Sequence, residues 1–99
     1  MKVYGSEICS GCRAFKALMA ERGFSVEFIE ITENIDNLRA FLKIRDTEQC
    51  FDAIRQEGRV GIPVFVSDDG EVTLDQDLAL SWIGQPPAGA EEPACEACK

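Results

Sequence analysis

Two cysteine pairs of equal spacing, Cys9-Ser10-Gly11-Cys12 and Cys95-Glu96-Ala97-Cys98, are the residues of this 99-residue chain best suited to chemistry. A thiol exchanges disulfides only as the thiolate, so one cysteine must have a stabilised anion and a second must lie close enough to resolve the mixed disulfide. Two intervening residues meet both needs when the first cysteine opens a helix. Backbone N–H groups and the positive end of the helix dipole then favour the anion of Cys9, while Cys12, one turn further in, faces back toward it. The same spacing also makes half of a zinc site, and two ordinary core cysteines would read alike. Cys50 stands alone, and beside Phe51 and Ile54 it reads as a small buried apolar residue.

The elements that must position the first pair are legible in the flanking residues. Val3 and Tyr4 before Gly5-Ser6 predict a short buried strand running into a turn. Ala14, Phe15, Leu18 and Met19 recur at helical spacing between Gly11 and Arg22, and Gly23 stands just beyond as a stop. Phe15 and Met19 continue the face that carries Cys12, which makes Cys12 the more buried thiol and Cys9 the exposed nucleophile. Arg13 and Lys16 lie where they could assist the Cys9 anion, and Glu7 opposes it.

Val26, Phe28, Ile29 and Ile31 predict a second strand, parallel to the first by way of the helical crossover. Oxygens at Thr32 to Asn34 offer an N-cap for a helix through Ile35, Leu38, Phe41 and Leu42, and a further helical piece spans about Thr47 to Glu57. Ile62-Pro63-Val64-Phe65-Val66 is a strand with its proline at the start or edge. Asp68-Asp69-Gly70 turns it into Glu71-Val72-Thr73-Leu74 as an antiparallel hairpin. Asp75 caps a last helix with Leu78, Trp82 and Ile83, and Trp82 and Phe15 are expected in the core. The expected fold class is therefore α/β: a mixed four-stranded sheet, built of a parallel βαβ unit plus an antiparallel hairpin, with helices on both faces. Residues 1–84 form one domain, and residues 85–99, with three prolines and no apolar periodicity, form a flexible tail that carries the second CxxC.

Composition narrows the function. Eighteen acidic residues against ten basic ones give a net charge of -8 with no histidine. That balance argues against nucleic acid and membrane surfaces as partners. The missing histidine removes Ser-His and Cys-His nucleophile pairs and imidazole metal sites. No apolar run approaches the roughly 20 residues of a membrane span. An odd cysteine count in paired spacing is unlike a secreted disulfide scaffold, so the expected location is the cytoplasm, where CxxC means redox chemistry or metal binding.

Cys9-Ser10-Gly11-Cys12 directly after Lys2-Val3-Tyr4, with Gly61-Ile62-Pro63 about fifty residues later, resembles a glutaredoxin of the thioredoxin-like superfamily over residues 1–84. The resemblance implies a thioredoxin-like fold and a thiol-disulfide oxidoreductase serving electron transport and cell redox homeostasis. Cys9 and Cys12 would be catalytic, and Ile62, a cis Pro63 and Asp75 would bind substrate. The chain departs from the family at Ser10-Gly11 between the cysteines, at Ser6, at Gly61 and at Val72-Thr73, positions that normally contact glutathione. It is therefore similar to a glutaredoxin-related protein more than to a standard glutathione-dependent one. The implied partners are disulfide-containing proteins and, as electron source, glutathione or a flavoprotein thiol reductase, with the protein a monomer and no metal or cofactor required. Cys95 and Cys98 offer a secondary redox pair, a clamp that completes a four-thiolate metal site with Cys9 and Cys12, or only a local disulfide of the tail. The alternative is an iron–sulfur or zinc carrier that uses the CxxC thiolates.

Overall fold

The structure, a computed structural model, describes residues 1–87 of the 99. Four strands, β1 (Lys2–Gly5), β2 (Glu27–Glu30), β3 (Val64–Val66) and β4 (Val72–Thr73), form one sheet in the order β2-β1-β3-β4. β1 and β2 pair in parallel, joined by α1 (Ser10–Glu21), while β1/β3 and β3/β4 are antiparallel. The protein is thus an α/β domain with a mixed four-stranded sheet, as the element order predicts. Among the described residues no helix is long and apolar enough to cross a membrane.

Alternation along the central strands supplies two cores. Val3 pairs with Phe65 and Tyr4 with Val64, and the period of two sends the two pairs to opposite faces of the sheet. On one face Val3 and Phe65 meet Phe15 and Met19 of α1 and Ala79 and Leu80 of α4 (Gln76–Trp82), with the Phe15 ring edge-on to Phe65 at 5.1 Å. On the other, Tyr4 and Val64 meet Ile31, Phe41 of α2 (Ile35–Thr47) and Phe51. Helices therefore cover both faces.

Local chemistry sets the element ends. The Asn34 side chain accepts from the Asn37 N–H to cap α2, and Asp75 accepts from Asp77 and Leu78 to cap α4. At the hairpin Ser67 Oγ accepts from the N–H groups of Asp69 and Glu71, and Gly70 adopts φ +92°.

Several expectations need correction. The second helical piece is not continuous: a 3₁₀ turn at Gln49–Phe51 precedes α3 (Asp52–Gln56). That turn aims Phe51 fully into the core against Phe41, so its neighbour Cys50 points outward and is exposed. Leu78 is 46% exposed because α4 buries Ala79 and Leu80 instead, and Trp82 only half-packs against that cluster. On α2, Ile35 and Leu42 lie exposed and Phe41 alone is fully buried, since the short sheet offers that helix a narrow stripe of contact. The tail from residue 88 on, with Cys95 and Cys98, lies outside the described residues.

The loop into β3 is held from below. Arg45 donates to the carbonyls of Arg59 and Val60 at 2.7 and 3.2 Å. Gly61 follows at φ +90°, where an added Cβ would meet Phe51 Cε2 at 2.5 Å and Ile54 Cγ2 at 3.1 Å. Only glycine satisfies both the left-handed backbone and the contact. Gly61→Ala is expected to destabilise the fold by about 1–3 kcal/mol, read as a lowered midpoint in urea unfolding, whereas Gly58→Ala, at the same sign of φ but in open space, costs less.

Candidate functional site

β1 ends at Gly5, and the chain turns through Ser6 to Ile8 before α1 begins. The Cys9 N–H donates to the Ser6 carbonyl at 3.1 Å, closing that turn. Cys9 is then the N-cap of α1, one position earlier than a first helical residue, with extended backbone and its sulfur accepting from the Cys12 N–H at 3.4 Å. The side chain is thus placed where a Ser or Asp cap would be, on the positive end of a 12-residue helix. Negative charge on the sulfur is favoured there by the donated hydrogen bond and by the dipole.

Across the sulfur lies the loop before β3. The Ile62 carbonyl oxygen is 3.8 Å from Cys9 Sγ, and the Ile62–Pro63 peptide is cis. The structure therefore brings Cys9, Cys12, Ile62 and Pro63 together from three places in the sequence. Asp75 is otherwise engaged: its carboxylate accepts from the first turn of α4 at 3.0 and 3.4 Å.

The two cysteines differ in access and charge. Cys12 is fully buried and Cys9 is 8% exposed, so the expected order holds, although Cys9 is more enclosed than an exposed nucleophile would be. An added Cβ on Gly5 would stand 2.7 Å from Cys12 Sγ, which shows how closely strand backbone and sulfur approach. Burial pushes the Cys12 thiol up to about 11, and the nearby carboxylates of Glu30 and Glu7 push the same way against the Ser6 backbone and Lys16. At Cys50 burial and then Glu48 also raise the thiol.

Beneath Cys12 is a polar set that sequence reasoning did not find. Ser6, wholly buried, shares a hydrogen bond of 3.0 Å with Thr32 Oγ1 and accepts from the Ile8 N–H at 3.3 Å. Thr32 also binds the Glu30 carboxylate, which accepts from the Glu7 N–H at 3.0 Å. Partial burial alone would raise the Glu30 carboxyl, but hydrogen bonds from Thr32, Ser6 and Glu7 outweigh it and hold the group below the usual carboxylate range. No sequence pattern links Ser6 to residues 30 and 32, since β1/β2 pairing alone makes them neighbours.

The flanking charges also differ from expectation. Glu7 is exposed but engaged: Lys16 pairs with its carboxylate and Arg13 donates to its carbonyl at 2.7 Å. Lys16 further sits 4.5 Å over the Phe28 ring. Both cations are thus engaged at Glu7. Ile8, next to Cys9, is 80% exposed and presents an apolar surface at the mouth of the site.

Among the described residues no three Cys, His, Asp or Glu side chains are grouped to hold a metal ion. A four-thiolate site would have to draw on Cys95 and Cys98, which lie outside those residues.

Over 73 residues the chain is 30% identical to an uncharacterized protein of Haemophilus influenzae, a stretch that makes up 74% of this chain and 85% of that protein. The chain belongs to that protein's family. No protein-family model and no solved structure matches the chain.

The Cys12 environment has a pH signature. In a variant whose other cysteines are serine, ultraviolet thiolate absorption is expected to titrate at about 11 instead of 9.0, and Glu30→Gln is expected to lower that midpoint by removing a negative neighbour. Because the folded value is the raised one, the contribution to stability is complete below pH 9.0 and is lost as pH rises toward about 11, which unfolding across that range will measure.

Proposed function

We propose that this protein is a thiol-disulfide oxidoreductase of thioredoxin-like fold, related to the glutaredoxins, acting through the Cys9/Cys12 dithiol in the reducing cytoplasm. The observation that carries the reading is the Cys9 sulfur at the N-cap of α1, with the Cys12 amide on one side and the Ile62 carbonyl beside a cis proline on the other. A sulfur so placed has its anion supported by backbone alone, which suits a chain with no histidine to serve as base.

In the proposed reaction the Cys9 thiolate attacks a substrate disulfide. A bond forms between Cys9 and one substrate sulfur, and the other leaves as a thiolate. Cys12, one turn inside, can then attack the Cys9 sulfur, releasing the second substrate thiol and leaving a Cys9–Cys12 disulfide. The electrons that restore the dithiol come from glutathione or from a flavoprotein thiol reductase. Ile62 and Pro63 border the sulfur and would align the substrate chain. The Ser10 hydroxyl, a buried oxygen with no hydrogen-bond partner among the described residues, would serve as a donor or acceptor for what binds there. Exposed Ile8 and the engagement of Arg13 and Lys16 at Glu7 favour a protein disulfide over a small anionic one.

The test is turnover of a glutathione mixed disulfide and of a protein disulfide by wild type and by Cys9→Ser, a substitution that keeps an N-cap oxygen and so the helix. Loss of activity by about a thousandfold or more in the variant is expected for removal of a nucleophile. Full activity without Cys9 would refute the reading.

A further inference from the structure

The cysteine pair sits at the end of the sheet where β1 and β2 finish, and the last residue of β2 is a carboxylate. Glu30 is in register with Gly5, and from Gly5 the chain turns through Ser6, Glu7 and Ile8 to Cys9. Each oxygen of Glu30 has its own donor. One accepts from the Glu7 N–H at 3.0 Å and the other from the Thr32 hydroxyl. Thr32 is held in turn by the wholly buried Ser6 at 3.0 Å. The carboxylate is therefore fixed against the turn that presents Cys9.

Its donors are all neutral. Among the described residues no Lys or Arg is paired with Glu30, whereas Lys16 is paired with Glu7 and Arg39 with Asp36. Arg13, the other cation near the start of α1, is exposed and bends to the Glu7 carbonyl at 2.7 Å. Two carboxylates, Glu30 ahead of Glu7, thus bear on Cys12 against the single ammonium of Lys16. Hydrogen bonds also hold Glu30 below the usual carboxylate range, so it is charged wherever thiolates exchange disulfides. A fixed charge at the rim of a site changes the rate of encounter according to the sign of the incoming group. The chain's own balance of -8 acts in the same direction at longer range.

We propose that Glu30 is a specificity residue that admits disulfides flanked by cationic groups, such as a protein cystine with Lys or Arg beside it, ahead of anionic ones such as glutathione disulfide. This rests on the assignment of Cys9 as nucleophile above. Glu30 takes no part in the bond exchange itself. The Cys9 thiolate still bonds one substrate sulfur while the other leaves as a thiolate. Glu30 acts before that step, favouring an ammonium or guanidinium that approaches beside the disulfide and opposing a carboxylate in the same place.

The test uses three small disulfides of different charge: cystamine, which is cationic, hydroxyethyl disulfide, which is neutral, and glutathione disulfide, which is anionic. Reduced full-length protein is mixed with each and quenched with acid at intervals, and loss of the Cys9 thiol is read by alkylation and peptide mass. Dividing each rate by that of mercaptoethanol removes the intrinsic reactivity of the disulfide. At about 20 mM ionic strength the normalised rate is expected to fall from cystamine through the neutral compound to glutathione disulfide, by about tenfold in all, and about 0.5 M salt compresses the range to about twofold. Glu30→Gln, which keeps the shape and an acceptor for the Glu7 N–H, is expected to lower the cystamine-to-glutathione ratio by about threefold. Asp69→Asn removes the same charge from the hairpin at the opposite end of the sheet and is expected to leave that ratio unchanged. An undiminished ratio in Glu30→Gln, an equal shift in Asp69→Asn, or a wild-type order that salt does not compress would each overturn the selection. A Cys9 that reacts with none of the three disulfides would refute the parent assignment itself.

Discussion

The hydrogen bond from the Cys12 amide to the Cys9 sulfur ties the start of α1 to the chemistry of the site. An N-cap needs an acceptor, and a helix end that lacks one leaves N–H groups unsatisfied. Here the acceptor is a sulfur, so the condition for starting the helix and the condition for stabilising a thiolate are met by one atom. The rest of the fold serves that atom's position. β1 delivers the chain at the centre of the sheet, the Ser6 carbonyl closes the turn, and Phe15 and Met19 fix the rotation of α1 by packing on Val3 and Phe65.

The opposite wall is positioned from the other face of the sheet. Phe51 and Ile54 press on Gly61, and Arg45 gathers the carbonyls of Arg59 and Val60, so the loop that ends in Ile62 and Pro63 is clamped just before it passes the Cys9 sulfur. Both cores therefore bear on the site, one through α1 and one through this loop. The split also separates the two cysteines in character. Cys9 sits at a helix end beside a loop, while Cys12 faces the buried seam between α1 and Gly5, with the Glu30 charge nearby.

Most of the scaffold was legible because its signals are local. Ala14 through Met19 carry a helical period, Val26 to Ile31 a strand composition, and Asp68-Asp69-Gly70 a turn. The parallel crossover and the hairpin follow from that order, as does a proline at the start of β3. Errors arose where a residue's facing depends on what lies opposite. Cys50 and Phe51 are adjacent, and only the 3₁₀ geometry of that turn decides which of them enters the core. Leu78 reads as a core position by type, but the contact with Val3 and Phe65 selects Ala79 and Leu80.

At the site, the sequence by itself determined which residue types were present: a CxxC able to open a helix, an Ile-Pro ahead of a strand, and no histidine to act as base. It also determined the order of burial of the two cysteines, since helical period puts Cys12 on the face of Phe15. Tertiary structure alone decided the rest. The Ile62 carbonyl reaches the Cys9 sulfur across 53 positions of sequence, and Ser6 meets Thr32 across 26. It likewise decided that Lys16 and Arg13 turn to Glu7 and that Asp75 caps α4. The physical reason is that periodicity fixes the direction of a side chain within its own element, whereas the partner it meets is set by how strands pair and helices pack.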